Sequence, residues 1–91
     1  MISVVSVNYK TIEYTLKMLE SLYSQHQKGG VEVFVVENGS GDDMNLLKSR
    51  FEQVKVIELE TNLGFAGGCN AAIQKAAGNF IVLINPDVIF D

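Results

Sequence analysis

Apolar and polar positions along this chain change period repeatedly, and the changes mark out seven segments. Ile2-Ser-Val-Val-Ser-Val7 is a β-branched run ended by Asn8, a turn former, and predicts a first strand. From Ile12 the apolar residues fall at Ile12, Leu16, Leu19 and Leu22, a spacing that lines one face of a helix. Thr11 is placed to cap that helix, and Gly29-Gly30 close the segment. Val31 to Val36 reads as a second strand, ended by Glu37-Asn-Gly-Ser-Gly41. Asp42 and Asp43 suit the positive end of a second helix, whose apolar positions are Met44, Leu47 and Phe51. Val54 to Leu59 alternates as a third strand. Thr61 to Asn70 then leads into an alanine-rich helix over Ala71 to Ala77, which Gly78 is expected to end as a left-handed cap. Phe80 to Ile84 is a fourth strand whose unbroken apolar run implies burial on both faces, and Asn85-Pro86-Asp87 stops it.

The order β-α-β-α-β-α-β predicts an α/β fold, an open, doubly wound, mostly parallel four-stranded sheet with helices on both faces. The strand order 3-2-1-4 follows by analogy with nucleotide-binding folds. In such sheets ligands bind beyond the carboxyl ends of the strands, where the order reverses, here between strands 1 and 4. Four polar loops emerge at that edge: Asn8-Tyr9-Lys10, Glu37 to Ser40, Asn62 to Asn70 and Asn85 to Asp87.

Composition narrows the picture further. The 91 residues are 47% hydrophobic and 20% charged, which is one folded domain and neither disordered nor low in complexity. The apolar stretches are far shorter than the roughly 20 residues that cross a bilayer, so no transmembrane segment is expected. No cationic segment followed by a small-residue cleavage site opens the sequence, and a cytoplasmic location is the expectation. Seven basic against eleven acidic residues give a net charge of −4. That argues against nucleic-acid and anionic-membrane partners, which require a basic surface. Cys69 is the single cysteine, so neither an internal disulfide nor a zinc cluster is in prospect.

Candidate chemistry lies in the loops, and each motif also has a purely structural reading. Asn85 and Asp87 flank a proline just past a strand, where an amide oxygen and a carboxylate can share a hard divalent cation with phosphate oxygens and water. From spacing alone, a plain turn is the readier reading of those three residues. Gly64-Phe-Ala-Gly-Gly68 precedes a helix and can turn backbone N–H groups toward phosphates, or can equally be a tight turn and a close-packing helix. It is neither the G-x-G-x-x-G of dinucleotide-binding folds nor a P-loop, which disfavours a dehydrogenase and a Walker-type hydrolase. Glu37 can accept a hydrogen bond from a base imide or ribose hydroxyl, or stand solvated at a strand end. Tyr9 can stack on a base or cover the start of the first helix. His26 is expected on the surface, and Cys69 is expected to be buried without a catalytic role. A receiver-like signalling domain fits poorly, because strand 1 ends in Asn8-Tyr9 and strand 3 in Glu58-Leu-Glu60 rather than in its acidic cluster and acceptor aspartate.

Four segments taken together carry a resemblance: Val4-Val-Ser-Val-Asn-Tyr9, Val33-Phe-Val-Val-Glu-Asn-Gly-Ser40, Asn62-Leu-Gly-Phe-Ala-Gly-Gly-Cys-Asn70 and Leu83-Ile-Asn-Pro-Asp-Val88. In this order and spacing they resemble the family-2 glycosyltransferases of GT-A fold, and most nearly the rhamnosyltransferase-type enzymes of bacterial surface polysaccharide synthesis. The resemblance implies transfer of a sugar from a nucleoside-diphosphate sugar, UDP- or dTDP-linked, to an acceptor hydroxyl, with inversion and a divalent metal, Mg²⁺ or Mn²⁺. It puts Asn8 and Tyr9 against the nucleobase and ribose. Glu37, where the family usually has Asp, would meet the base imide, with Asn38 beside it. Asn62, Gly64 and Asn70 would lie near the ribose and diphosphate. Asn85-Pro86-Asp87 matches the D-x-D region, with Asp87 as the metal carboxylate.

The resemblance also implies that residues 1–91 form the nucleotide-sugar-binding half of a larger domain, with the general base expected beyond Asp91. Strand 4 would then present an apolar edge and favour self-association. The alternative is a non-catalytic binding or assembly module with a vestigial site.

Overall fold

A parallel strand cannot pair with the next one without a crossover, and the chain supplies a helix for each of its three crossovers. The computed structural model describes residues 1–25 and 30–87. Its elements are β1 (Ile2–Asn8), α1 (Ile12–Gln25), β2 (Val31–Asn38), α2 (Asn45–Arg50), β3 (Lys55–Leu59), α3 (Gly64–Ile73) and β4 (Phe80–Leu83). They form one four-stranded sheet in the order β3-β2-β1-β4, with all three pairings parallel. The fold and strand order are those expected from the sequence. His26 and Gly29 lie outside the described residues.

Alternation in β1 and β2 divides the core between the two faces of the sheet. Val4, Val33 and Val35 pack with Met18, Leu19 and Leu22 of α1 and with Met44, Leu47 and Phe51 around α2. Val5, Phe34 and Val36 face the other way and pack with Ala72 of α3. As the chain moves outward from β1 to β3 its helices stay on one face. When it returns past β1 to β4, α3 crosses the other face. Burying each Leu, Met, Phe or Val of this core contributes about 1.5–3 kcal/mol.

Four details differ from the sequence reading. Asn8, Glu37 and Asn38 are strand residues rather than loop residues, because β1 and β2 stay paired through Asn8↔Glu37 and β2 pairs Asn38 with Leu59. The third helix begins at Gly64, seven residues before the alanine run, because the glycine-rich segment is itself helical, and it ends at Ile73, short of Ala77. Gly78 is not among the glycines with positive φ and caps nothing. Its role is close approach, since a Cβ there would stand 2.7 Å from the Ser3 nitrogen and 2.9 Å from the Met1 carbonyl oxygen. Finally, β4 is exposed along its whole length, with Phe80 at 71%. Its apolar run therefore marks a sheet edge, not a strand buried on both faces.

Glu32 fastens the amino-terminal end of the sheet. Its carboxylate accepts hydrogen bonds from Ser3 Oγ at 2.6 Å, Lys55 Nζ at 2.9 Å and the Ala77 N–H at 2.6 Å, joining β1, β2, β3 and the segment entering β4. The Ser3 hydroxyl, then the Lys55 and Ala77 bonds, hold its pKa down at about 2, against 4.5 ordinarily. A depressed carboxylate pKa adds stability that is complete above the unfolded-state value and fades as pH falls toward the folded one. The Glu32→Gln variant is therefore expected to have a lower urea midpoint than the parent at pH 7, with the gap closing between about pH 4.5 and pH 2. A gap that stays constant over that range would refute this role.

Candidate functional site

Two buried amides organise the carboxyl edge of the sheet, one on each face. Asn8 has no exposure. Its Nδ2 donates to Asp42 Oδ2 at 2.9 Å and, over a longer 3.4 Å, to Glu37 Oε1. Its Oδ1 accepts from Thr15 Oγ1 at 2.7 Å and from Thr11 Oγ1 at 3.2 Å. Glu37, 4% exposed, accepts from the backbone N–H groups of Ser40 and Gly41 and from the Ser40 hydroxyl. A buried carboxylate needs such donors, and this one takes them from its own loop.

Asn38 points to the opposite face, as strand alternation requires. Its Oδ1 accepts from the Leu63 N–H at 3.0 Å, while its Nδ2 donates to the Gly64 carbonyl at 3.0 Å and to Asn62 Oδ1 at 3.1 Å. Asn62 Oδ1 also accepts from the Gly64 N–H at 2.7 Å. The start of α3 is thus tied to β2. Gly39 completes the contact. With φ at +75° and a Cβ position on top of the Thr61 and Asn62 backbone, 2.7 Å from Thr61 Cα, it admits no side chain. Gly68 brings α3 down onto Val7 and the Asn38 amide, and Cys69 behind it is buried, which pushes its thiol pKa up.

Between these tethers lies a cavity of about 270 Å³ at the place where the strand order reverses. Val7, Tyr9 and Thr11 border it from the β1 side, Asn38, Asn62, Gly64 and Phe65 from the α3 side, and Ile84, Asn85 and Pro86 from beyond β4. A second cavity, about 450 Å³, opens on the other side of Asn85-Pro86 and is bordered by Thr11, Tyr14 and Asp87. Tyr9 and Phe65 are exposed at 40% and 60%, two aromatic rings available to a planar ligand.

The structure brings Tyr9, Asn38, Asn62, Gly64 and Asn85 together at the first cavity, and Asp87 with Asn85 at the second. Asn8 and Glu37 line neither of these two cavities and stand behind them in the hydrogen-bonded base. Asn70 is exposed on α3, well past its first turn, and borders neither cavity. Thr11, Tyr14 and Phe65 join the site without having been read as site residues. Thr11 and Phe65 do adjoin the polar loops, and that adjacency was the available signal. Tyr14 becomes a neighbour only because α1 starts beneath Asn85.

A divalent cation finds one carboxylate here, the exposed Asp87, with the Asn85 amide nearby. No cluster of three or more His, Cys, Asp or Glu occurs among the described residues. That donor set fits a cation sharing phosphate oxygens and water, and does not fit a cage built by protein alone.

This parallel α/β sheet, with its cavity at the carboxyl edge and its glycine-rich helix start, has the architecture of the relatives it matches. The sequence pattern of Glycosyl transferase family 2 matches residues 3–91, and the chain belongs to that family. It is 32% identical over 91 residues to the uncharacterized glycosyltransferase YwdF of Bacillus subtilis, covering 98% of this chain and 33% of that protein. Staphylococcus aureus TarS, a poly(ribitol-phosphate) β-N-acetylglucosaminyltransferase, has been solved as residues 1–349 in complex with UDP. That structure matches with a TM-score of 0.82 and 30% identity, over 94% of this chain and 27% of the other. A mannosyltransferase of Pyrobaculum calidifontis, solved with GDP-Man and Mn²⁺, shares the fold at a TM-score of 0.85 and 22% identity, over 97% and 28% of the two chains. The chain spans between 13% and 33% of the length of the curated relatives it matches.

Replacing Asn38 by Asp tests the tether. A carboxylate oxygen in place of Nδ2 would face two acceptors, the Gly64 carbonyl and Asn62 Oδ1. Asn38→Asp is expected to cost about 2–3 kcal/mol in urea unfolding, more than Asn38→Ala, which leaves the same partners unpaired without repelling them. An Asp variant as stable as the parent would rule the tether out.

Proposed function

We propose that this chain is the donor-binding half of a glycosyltransferase, holding a nucleoside-diphosphate sugar whose sugar passes to an acceptor hydroxyl with inversion. The observation that carries the reading is the cavity between Tyr9, Asn62, Phe65 and Asn85 at the sheet's order reversal, in a chain 30% identical to a neighbour solved with UDP. The base and ribose lie in that cavity, with Tyr9 and Phe65 as apolar walls. Asn8 and Glu37, given by resemblance as base contacts, act in this proposal by holding the loops that form its rim. The diphosphate extends past Asn85 toward Asp87.

A divalent metal held by Asp87 with Asn85 would neutralise charge growing on the diphosphate as the glycosidic bond breaks. The carboxylate that takes the acceptor proton is assigned to no residue of this chain. A role in surface polysaccharide synthesis and a cytoplasmic location belong to the same proposal. The rhamnosyltransferase-type branch rests on the four sequence segments alone.

Titration calorimetry with UDP and dTDP, with and without Mn²⁺, checks the reading. Metal-dependent binding of either is expected, with the metal-dependent part lost in Asp87→Ala while the thermal midpoint stays within about 2 °C of the parent. Failure of both nucleotides to bind under every condition would leave the fold without its proposed ligand.

The exposure of Phe80, Ile81, Val82 and Leu83 favours a second reading, an assembly module. Among the described residues β4 pairs with β1 alone, so its other edge offers N–H and C=O groups to a second copy of the chain. Sedimentation of this chain is then expected to show concentration-dependent dimers that Val82→Lys weakens. A clean monomer at high concentration would dismiss edge pairing.

A further inference from the structure

Lys10 is a non-glycine residue with positive φ, at +56°, the value a tight strand-to-helix turn demands between Asn8 and Thr11. Glycine or asparagine would take that conformation at less cost, so the backbone gives no reason for a lysine there. The side chain is exposed, and its Nζ stands 5.4 Å from the centre of the Tyr9 ring, which borders the cavity of about 270 Å³. No carboxylate pairs with it among the described residues, whereas Lys48, Arg50 and Lys55 are each tied to a glutamate. Lys17 belongs to the body of α1, and Lys75 lies past the far end of α3. Among the described residues Lys10 is thus the cation that adjoins the cavity, through Tyr9 and Thr11 on either side of it, on a chain of net charge −4 whose Glu37 and Asp42 stand just behind that edge. An anionic ligand entering there needs a counter-charge, and the neutral groups around the cavity do not supply one.

We infer that the Lys10 ammonium binds the phosphate groups of the ligand, moving from the Tyr9 ring toward the diphosphate near Asn85 as the nucleotide enters. The inference rests on the nucleotide-sugar reading above and adds a residue that this reading does not assign. A charge-assisted hydrogen bond of this kind is strong and carries no information about the base. Lys10 therefore contributes affinity for the diphosphate irrespective of the nucleoside, and that contribution falls with ionic strength.

The test compares the parent chain with Lys10→Asn, which keeps the turn and removes the charge, and with Lys10→Arg. UDP is titrated at low and high NaCl, and uridine binding is followed by NMR chemical-shift changes. Lys10→Asn is expected to weaken UDP about tenfold at low salt, to leave uridine within about twofold, and to flatten the salt dependence, with Lys10→Arg close to the parent. Its thermal midpoint is expected to match or exceed the parent's, so the loss is not one of folding. Unchanged UDP affinity in Lys10→Asn would overturn the inference while the nucleotide reading stands. An equal loss of uridine and UDP would overturn it too, since Lys10 would then act through Tyr9 and the base. A parent chain that binds no nucleotide would overturn both.

Discussion

An amide buried at the end of a strand has four hydrogen-bonding positions to fill, and an unsatisfied buried group costs on the order of 1–3 kcal/mol. Asn8 fills them from two directions, the start of α1 through Thr11 and Thr15, and the end of β2 with the connection after it through Glu37 and Asp42. That requirement fixes where α1 begins and how far the chain curls after β2. Asn38 imposes the matching requirement on the opposite face, where it sets the first turn of α3. Because the two amides belong to neighbouring strands of one rigid sheet, the walls on either side of the cavity are referred to the same backbone. A site built this way holds its geometry without a ligand.

Much of this was legible in the sequence. The succession of strands and helices along the chain followed from periodicity and the order of strands in the sheet from analogy, and the structure sets Val4, Val33 and Val35 on one face and Val5, Phe34 and Val36 on the other. What periodicity cannot register is a polar residue inside a strand whose cost is met by partners far along the chain. Asn8 and Glu37 are 29 residues apart and read, one at a time, as a turn former and a solvated strand-end carboxylate; only the register of β1 on β2 makes them neighbours. The glycine-rich start of α3 misled for a related reason. Its glycines read as a turn ahead of the helix, yet packing decided, because Gly68 can lie against Val7 only if the helix is already running there.

Strand 4 shows the opposite failure. A continuous apolar run says that a segment seeks cover and does not say what supplies it. In this chain β1 supplies one flank, and the side chains of Phe80 to Leu83 stay open. Its amino-terminal entry is secured by Glu32 reaching the Ala77 N–H and by Ser3 accepting from the Gly78 N–H through its hydroxyl. Its exit, Ile84, is held by one backbone bond to the Val5 carbonyl at 2.9 Å.

That asymmetry bears on the cavity. Two of its three walls descend from elements locked by the buried amides, while the third, Asn85 and Pro86, follows an edge strand and is anchored through Ile84, which packs against the α1-side core. Segments with few buried contacts open locally at low free energy, well below the cost of global unfolding. Whatever covers β4 must therefore also steady Asn85 and Pro86, and by linkage a ligand gripping those residues favours the covered state. Site and edge are joined through Ile84, so a ligand at one and cover on the other would favour the same conformation.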